Sequence, residues 1–404
     1  MSIVWHCQIC LVLLALLITC ACTSPPVPQS TLIHSTSVPQ LSATPTRTAT
    51  RVPTLPPAAA VSFTSVPITT SPRPEILTPT IAPTQLPTGA PTLKSAGTIM
   101  FIRLQDSNIH IMDAACTRSQ TGCTRGWSRL TDATLEGSRS KVFAYDLSTS
   151  RDGRRVAFTY SENIDELGTS RHTEVRILDV DKCSSLPAGC TLDQTSRLAA
   201  DRARNSYGAA WSPTGDELAL MLNDPDGLGL AVMRADGSGY TVIFENHQLA
   251  RDANLESLDW APNGQRLAFT ATYGTVRNAD SYIFTINRDG SDVKKVTDFP
   301  HVESYHAIDG SPQWSPDSEK ILFISNHRYE GWEKDPEFYL YTMNADGSDV
   351  TPLGIEALFA TWSPDGSQIL YINNSGDLYL IDAQGGQPVQ LTKGLNISAV
   401  TWIP

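Results

Sequence analysis

Trp362-Ser-Pro-Asp-Gly366 is the stretch that decides the fold, because the same pentapeptide keeps returning along the chain. It stands at Trp211-Ser-Pro-Thr-Gly215, Trp260-Ala-Pro-Asn-Gly264 and Trp314-Ser-Pro-Asp-Ser318. A degenerate copy is Thr149-Ser-Arg-Asp-Gly153, and a truncated one ends the chain at Trp402-Ile403-Pro404. Successive copies are 62, 49, 54, 48 and 40 residues apart. A period of this size means an array of supersecondary units rather than two or three unrelated domains.

Each pentapeptide suits a type I turn, with proline fixing φ at the second position and glycine closing the turn. A short apolar strand follows each copy: RRVAFTY, DELALML, QRLAFTA, EKILFIS and SQILYIN. A second strand comes next, as in TEVRILDV, YIFTIN, YLYTMN and DLYLID. Hairpin turns such as Asn-Arg-Asp-Gly-Ser (287–291) and Asn-Ala-Asp-Gly-Ser (344–348) then lead into a short outer strand like KKVTD or VQLTK. The unit is therefore a four-stranded antiparallel meander, and such units at this period predict an all-β propeller. Trp211, Trp260, Trp314, Trp362 and Trp402 are read as structural, each ending a first strand and packing against a neighbouring sheet.

These residues resemble the TolB-like (WD-like) propeller repeat, whose mark is the Trp-Ser-Pro-Asp-Gly element followed by a strand and an Asn-Ala-Asp-Gly hairpin. The resemblance covers 97–404. Gly97 to Leu104 (GTIMFIRL) begins in mid-unit, at a second strand, and Asn108 to Asp113 and Trp127 to Asp132 supply the third and fourth. The missing first strand is expected around Ile397 to Trp402. That count predicts six blades, with the ring closed by the C-terminal strand joining the N-terminal blade, which removes exposed sheet edges.

Two of the third-to-fourth-strand hairpins are Cys-x6-Cys insertions, Cys116 to Cys123 and Cys183 to Cys190. Local disulfides are the expectation; a zinc site shared by the four cysteines is the alternative.

The N-terminus is a different kind of chain. Residues 1–22 carry no Lys, Arg, Asp or Glu, and Ile9 to Ile18 (ICLVLLALLI) is an apolar run before Thr19-Cys20-Ala21-Cys22-Thr23. This is the layout of a signal peptide. It resembles a bacterial lipoprotein signal with Cys22 as the lipid-attachment site, which implies a lipid-anchored mature protein. Cys20 is a second candidate, and an uncleaved apolar anchor or soluble secretion are the other readings. Residues 23–96 hold 15 of the 27 prolines among Thr and Ser, and the apolar residues show no period. Such a chain cannot offset its ordering entropy with a core, so it is read as a disordered tether.

Charge divides the same way. Of the net −12, the tether carries +3 (Arg47, Arg51, Arg73 and Lys94 against Glu75), which leaves −15 for 97–404. A body of that sign offers no basic face to a phosphate backbone, so no nucleic-acid partner is expected. No second long apolar run follows the leader, which argues against a polytopic membrane protein.

Strand direction puts the Ser-Pro-Asp-Gly turns on one face of the ring. Blade-to-blade links and second-to-third-strand loops fall on the other, and these are long: 133–146, 161–172, 272–281, 299–311 and 326–337. They carry Tyr273, His301, Tyr305, His306, His327, Tyr329 and Trp332, which makes this aromatic, acidic face the expected binding surface. His301, His306 and His327 have no fixed metal-ligand spacing, and no Gly-x-Ser-x-Gly element is present. No metal, cofactor or catalytic residue is assigned. The expectation is an extracytoplasmic, membrane-anchored, monomeric and non-catalytic module that binds a protein or peptide. A glycan-binding or metal-dependent glycan-lyase-type propeller and a structural cell-envelope component are the alternatives.

Overall fold

Each repeat folds into one antiparallel sheet, and six four-stranded sheets follow one another around a ring. The computed structural model describes residues 97–114, 127–132, 143–162, 172–198, 206–224, 227–249, 253–275, 278–298, 308–326 and 338–403. The leader, the tether and the cysteines Cys22, Cys116 and Cys123 lie outside these residues.

Blade 1 takes its first strand from the far end of the chain, in the order Ile397–Ile403, Thr98–Arg103, Ile109–Asp113, Trp127–Arg129. Met100 pairs with Thr401 on one side and with Ile111 on the other. Blade 2 runs Phe143–Thr149, Arg155–Glu162, His172–Asp179, Ser196–Arg197, and blade 3 runs Ser206–Trp211, Glu217–Asp224, Gly227–Arg234, Thr241–Glu245. Blade 4 is Asn254–Trp260, Arg266–Thr275, Asn278–Asn287, Lys294–Lys295. Blade 5 is Asp309–Trp314, Lys320–Ser325, Tyr339–Asn344, Thr351–Glu356, and blade 6 is Phe359–Trp362, Gln368–Ile372, Leu378–Asp382, Val389–Gln390. First strand touches first strand all the way round, from blade 2 through blade 6 and back through Ile397–Ile403 to blade 2. The first strands therefore line the axis, and the predicted closure is the observed one.

The core consists of six apolar clusters, one in each gap between blades. Both faces of a blade are covered, so its inner strands read as unbroken apolar runs. In Thr98–Arg103, Ile99 and Phe101 pack toward blade 6, while Met100 and Ile102 pack toward blade 2. All four are essentially unexposed. Burial of each such side chain contributes roughly 1.5–3 kcal/mol before chain entropy is counted.

The repeated pentapeptide earns its composition atom by atom. The Ser315 hydroxyl donates to Asp317 Oδ1 (2.5 Å) and accepts from the Lys320 amide (2.9 Å), closing the turn from both ends. Ser150, Ser212 and Ser363 likewise accept from the amides of Arg155, Glu217 and Gln368. The glycine sits at positive φ, and a Cβ there would press on the proline of the preceding blade. It would stand 3.3 Å from Pro213 Cγ at Gly264 and 3.4 Å from Pro316 Cδ at Gly366. The turns thus stack around one end of the ring. The tryptophans are 5–7% exposed and wedge between blades, and the Trp362 indole donates to the Gln313 carbonyl at 3.2 Å.

The second cysteine insertion is a docked arm. Cys183, within the short helix Val180–Ser184, forms a disulfide with Cys190, their Cα atoms 4.8 Å apart. Cys190-Thr191 then pairs in parallel with Thr131-Asp132 of blade 1, and the Cys190 amide donates to the Leu130 carbonyl at 2.7 Å. Buried Arg176 donates to the Leu192 carbonyl at 2.9 Å and holds the far side of the arm on blade 2.

Candidate functional site

The end of the ring away from the turns is built differently. Counting back from the tryptophan position, the third residue before it adopts a left-handed conformation in four successive blades. These are Asp146 (φ 55°), Gly208 (φ 52°), Ser257 (φ 47°) and Ser311 (φ 53°). At each of them the pairing of first and second strand slips, a β-bulge. Only the second residue is a glycine; a left-handed conformation costs an L-residue about 1–2 kcal/mol. Three non-glycine residues therefore hold unfavourable backbone on one level around the axis, in the half of each strand next to the blade-to-blade links.

That level carries carboxyl groups. Asp146 and Glu256 are partly exposed. Because their strands are paired outward and covered on both faces, the open sides are the axis and the link end of the ring. Burial pushes Asp146 up to about 6, against the Thr159 hydroxyl. The same hydroxyl donates to Asp146 Oδ2 at 3.5 Å and accepts the Gly208 amide at 3.0 Å, so the bulge of blade 3 is fixed through blade 2. Burial pushes Glu256 up to about 7; the Thr272 hydroxyl opposes and the charge of Asp146 adds to it. Between them Tyr207 donates to the Leu255 carbonyl at 2.9 Å, and its phenol is pushed up by burial and then by Glu256 and Asp146. Asp146, Tyr207 and Glu256 thus sense one another across blades 2, 3 and 4.

Asp259, next to Trp260, accepts the Trp314 amide at 2.6 Å. Burial raises it to about 7 against the amides of Trp314 and Trp260. Ser148 does the same service for the Trp211 amide at 3.0 Å. These two bonds join blade to blade and are structural.

Of the residues expected to bind, Tyr273 alone is described. The stretch 272–281, expected as a loop, is instead the tip of a hairpin whose strands run to Thr275 and resume at Asn278. Tyr273 pairs with Asp280 there, and its ring lies 6.2 Å from Tyr282 and 6.5 Å from Phe284. The pairing is continuous because the Thr and Tyr of this segment suit a strand. His301, Tyr305, His306, His327, Tyr329 and Trp332 lie outside the described residues. Among the described residues no three His, Cys, Asp or Glu side chains are grouped to hold a metal ion, and no helix is long and apolar enough to cross a membrane.

Comparison with solved structures bears on the fold at this point. TolB from Acinetobacter baumannii superposes with a TM-score of 0.53 over 78% of this chain and 69% of its own, at 14% identity. The fold is a TolB-like six-bladed β-propeller. The TolB-like ring is shared more widely: a structure of the nidogen/laminin complex gives a TM-score of 0.53 at 12% identity, over 76% of this chain and 99% of that one. Residues 315–401, from the turn after the first strand of blade 5 through blade 6 and most of the closing strand, match the model of the dipeptidyl peptidase IV N-terminal region. No curated protein matches in sequence.

Proposed function

We propose that this TolB-like propeller is a non-catalytic binding module which takes a protein or peptide with a basic segment at the link end of its channel. The observation that carries the reading is the coincidence of strain and charge on one level. Left-handed Asp146, Ser257 and Ser311 stand where Asp146 and Glu256 open to the axis and the link end. Strained backbone persists only where the surrounding structure over-determines it, and it gathers at sites of function. A cationic side chain entering the channel would meet both carboxylates in a low-dielectric recess, where their ionisation would be restored by the pairing. The net −15 of 97–404 would steer such a partner in.

The test is binding of a basic peptide array and a glycan array to the full chain, wild type against Asp146→Asn with Glu256→Gln. Selective peptide binding that drops at least about tenfold in the double variant, the loss of roughly 1.4 kcal/mol, supports the reading. Glycan binding untouched by the two substitutions rejects it. For location, we propose an extracytoplasmic protein anchored through a lipid on Cys22. Radiolabelled lipid should appear on the wild type and be lost in Cys22→Ala; a labelled Cys22→Ala would reject that site.

A further inference from the structure

The gap between blades 4 and 5 turns from apolar to polar at its link end. There Thr270, Thr272, Ser281, Thr297, Asp309 and Ser325 are all at most 4% exposed. Most of this polar set is internally paired: Thr272 Oγ1 and Ser281 Oγ lie 2.7 Å apart, and Thr297 Oγ1 accepts the Ile283 amide at 2.9 Å. Asp309 is the exception. It is wholly buried, and neither carboxylate oxygen has a well-aligned hydrogen-bond donor from the protein. The hydroxyls of Ser325 and Thr297 are its neighbours and favour its charged form, against the larger effect of burial. Thr270 Oγ1, also without a partner, lies 3.8 Å from where a Cβ on Gly310 would stand.

A carboxylate buried without a countercharge costs several kcal/mol, so it must be neutralised by a proton or a bound cation. The cation that faces it from blade 4, Lys295, is engaged elsewhere. Its ammonium contacts Asp298 at 2.6 Å and lies 3.7 Å over the Tyr282 ring. The other described side chains that act on the Asp309 carboxylate are the hydroxyls of Ser325 and Thr297, with no thiolate or imidazole among them. That donor set suits hard cations and not zinc, copper or iron.

We propose that Asp309 is the anionic ligand of a buried cation site between blades 4 and 5, taken by a hard, oxygen-seeking ion of the sodium or calcium class. The hydroxyls of Ser325 and Thr297 stand beside it as neutral oxygen donors. Asp309 opens the first strand of blade 5, directly after the link that carries His301, Tyr305 and His306. A bound ion would therefore fix the point where that link joins the ring.

The experiment is thermal unfolding of the full chain at about pH 8, above the value of about 7 to which burial raises Asp309. Choline chloride with a chelator is compared with NaCl and, chelator omitted, with CaCl2, at matched ionic strength. A ligand that binds only the folded state raises the midpoint saturably. The expected result is such a rise with sodium or with calcium, weakening as pH falls below about 7 because protons compete. Asp309→Asn, which keeps the shape and removes the charge, should abolish it, and Ser325→Ala should raise the half-saturating concentration about tenfold. Equilibrium dialysis with 22Na or 45Ca should find one ion per wild-type chain that is absent from Asp309→Asn. Equal midpoints in choline, sodium and calcium, or a rise retained in Asp309→Asn, would overturn the proposal; Asp309 is then neutralised by a proton. Should Asp309→Asn fail to fold, the wild-type titration and the Ser325→Ala shift decide the matter.

Discussion

The two ends of this ring handle carboxylates in opposite ways. At the turn end, Asp152, Asp289, Asp317 and Asp346 sit in exposed turns, where serine hydroxyls and then backbone amides hold them below the usual carboxylate range. At the link end, Asp146, Glu256 and Asp309 are raised to between about 6 and about 7, in each case first by burial. The turn acids are ionised and hydrogen-bonded because they build the turn. The link-end acids close no turn, and the first strands that carry them pair with a bulge.

The largest expected effect lies where the ends cannot be separated. Removal of 397–404 takes away the first strand of blade 1, opening two apolar gaps at once. Cooperative thermal unfolding should be lost; an unchanged calorimetric transition would break the ring as described. A pH series comes next. Groups whose folded-state pKa is raised bind protons more tightly when folded, so they stabilise at low pH and that contribution fades as pH climbs from about 4 to about 7. The turn acids work the other way: their contribution is present above about 4 and lost as pH falls through their lowered values. The unfolding midpoint should therefore peak between about pH 4 and 6, and Asp146→Asn with Glu256→Gln should flatten only the alkaline limb. A midpoint that climbs steadily from pH 4 to 8 would mean the two ends do not differ.

Single substitutions sharpen the contrast further. Ser315→Ala removes a hydroxyl that both donates and accepts within the turn, and should cost about 1–2 kcal/mol in a denaturant titration. Ser311→Gly relieves a left-handed serine and should gain up to about 1 kcal/mol, partly offset by glycine's chain entropy. A loss of stability in Ser311→Gly would show that the serine side chain, not its backbone, is what that level requires.

The turn end was legible because its chemistry repeats in the letters: Ser, Pro, Asp and Gly are each demanded by a hydrogen bond, a fixed φ or a close approach. Blade register, ring closure at Ile397–Ile403 and the Cys183–Cys190 disulfide follow from that punctuation and from the cysteine spacing. The link end was not legible for a reason of period. A strand is read by alternation, and a bulge shifts the alternation by one residue without a sequence mark of its own. Asp146, Ser257 and Ser311 look like ordinary polar positions until the units are aligned on their tryptophans. Only then do Asp, Gly, Ser and Ser stand in one column, three residues upstream. Glu256 has no mark of its own because an acid inside a strand reads as an ordinary solvent-facing residue; Asp309, read as one of the acids of the 299–311 link, instead opens a strand and is wholly buried.

The chain enters the ring through Thr98–Arg103, which is not an edge strand: Ile397–Ile403 lies on one side of it and Ile109–Asp113 on the other. A pull on the residues before Gly97 is therefore borne in shear by two hydrogen-bonded ladders together, instead of peeling one ladder open a bond at a time. The parallel bridge from Cys190-Thr191 to Thr131-Asp132 adds a cross-brace between the loaded blade and the next. A protein held by its N-terminal segment would carry mechanical load on an internal strand and not on an exposed edge.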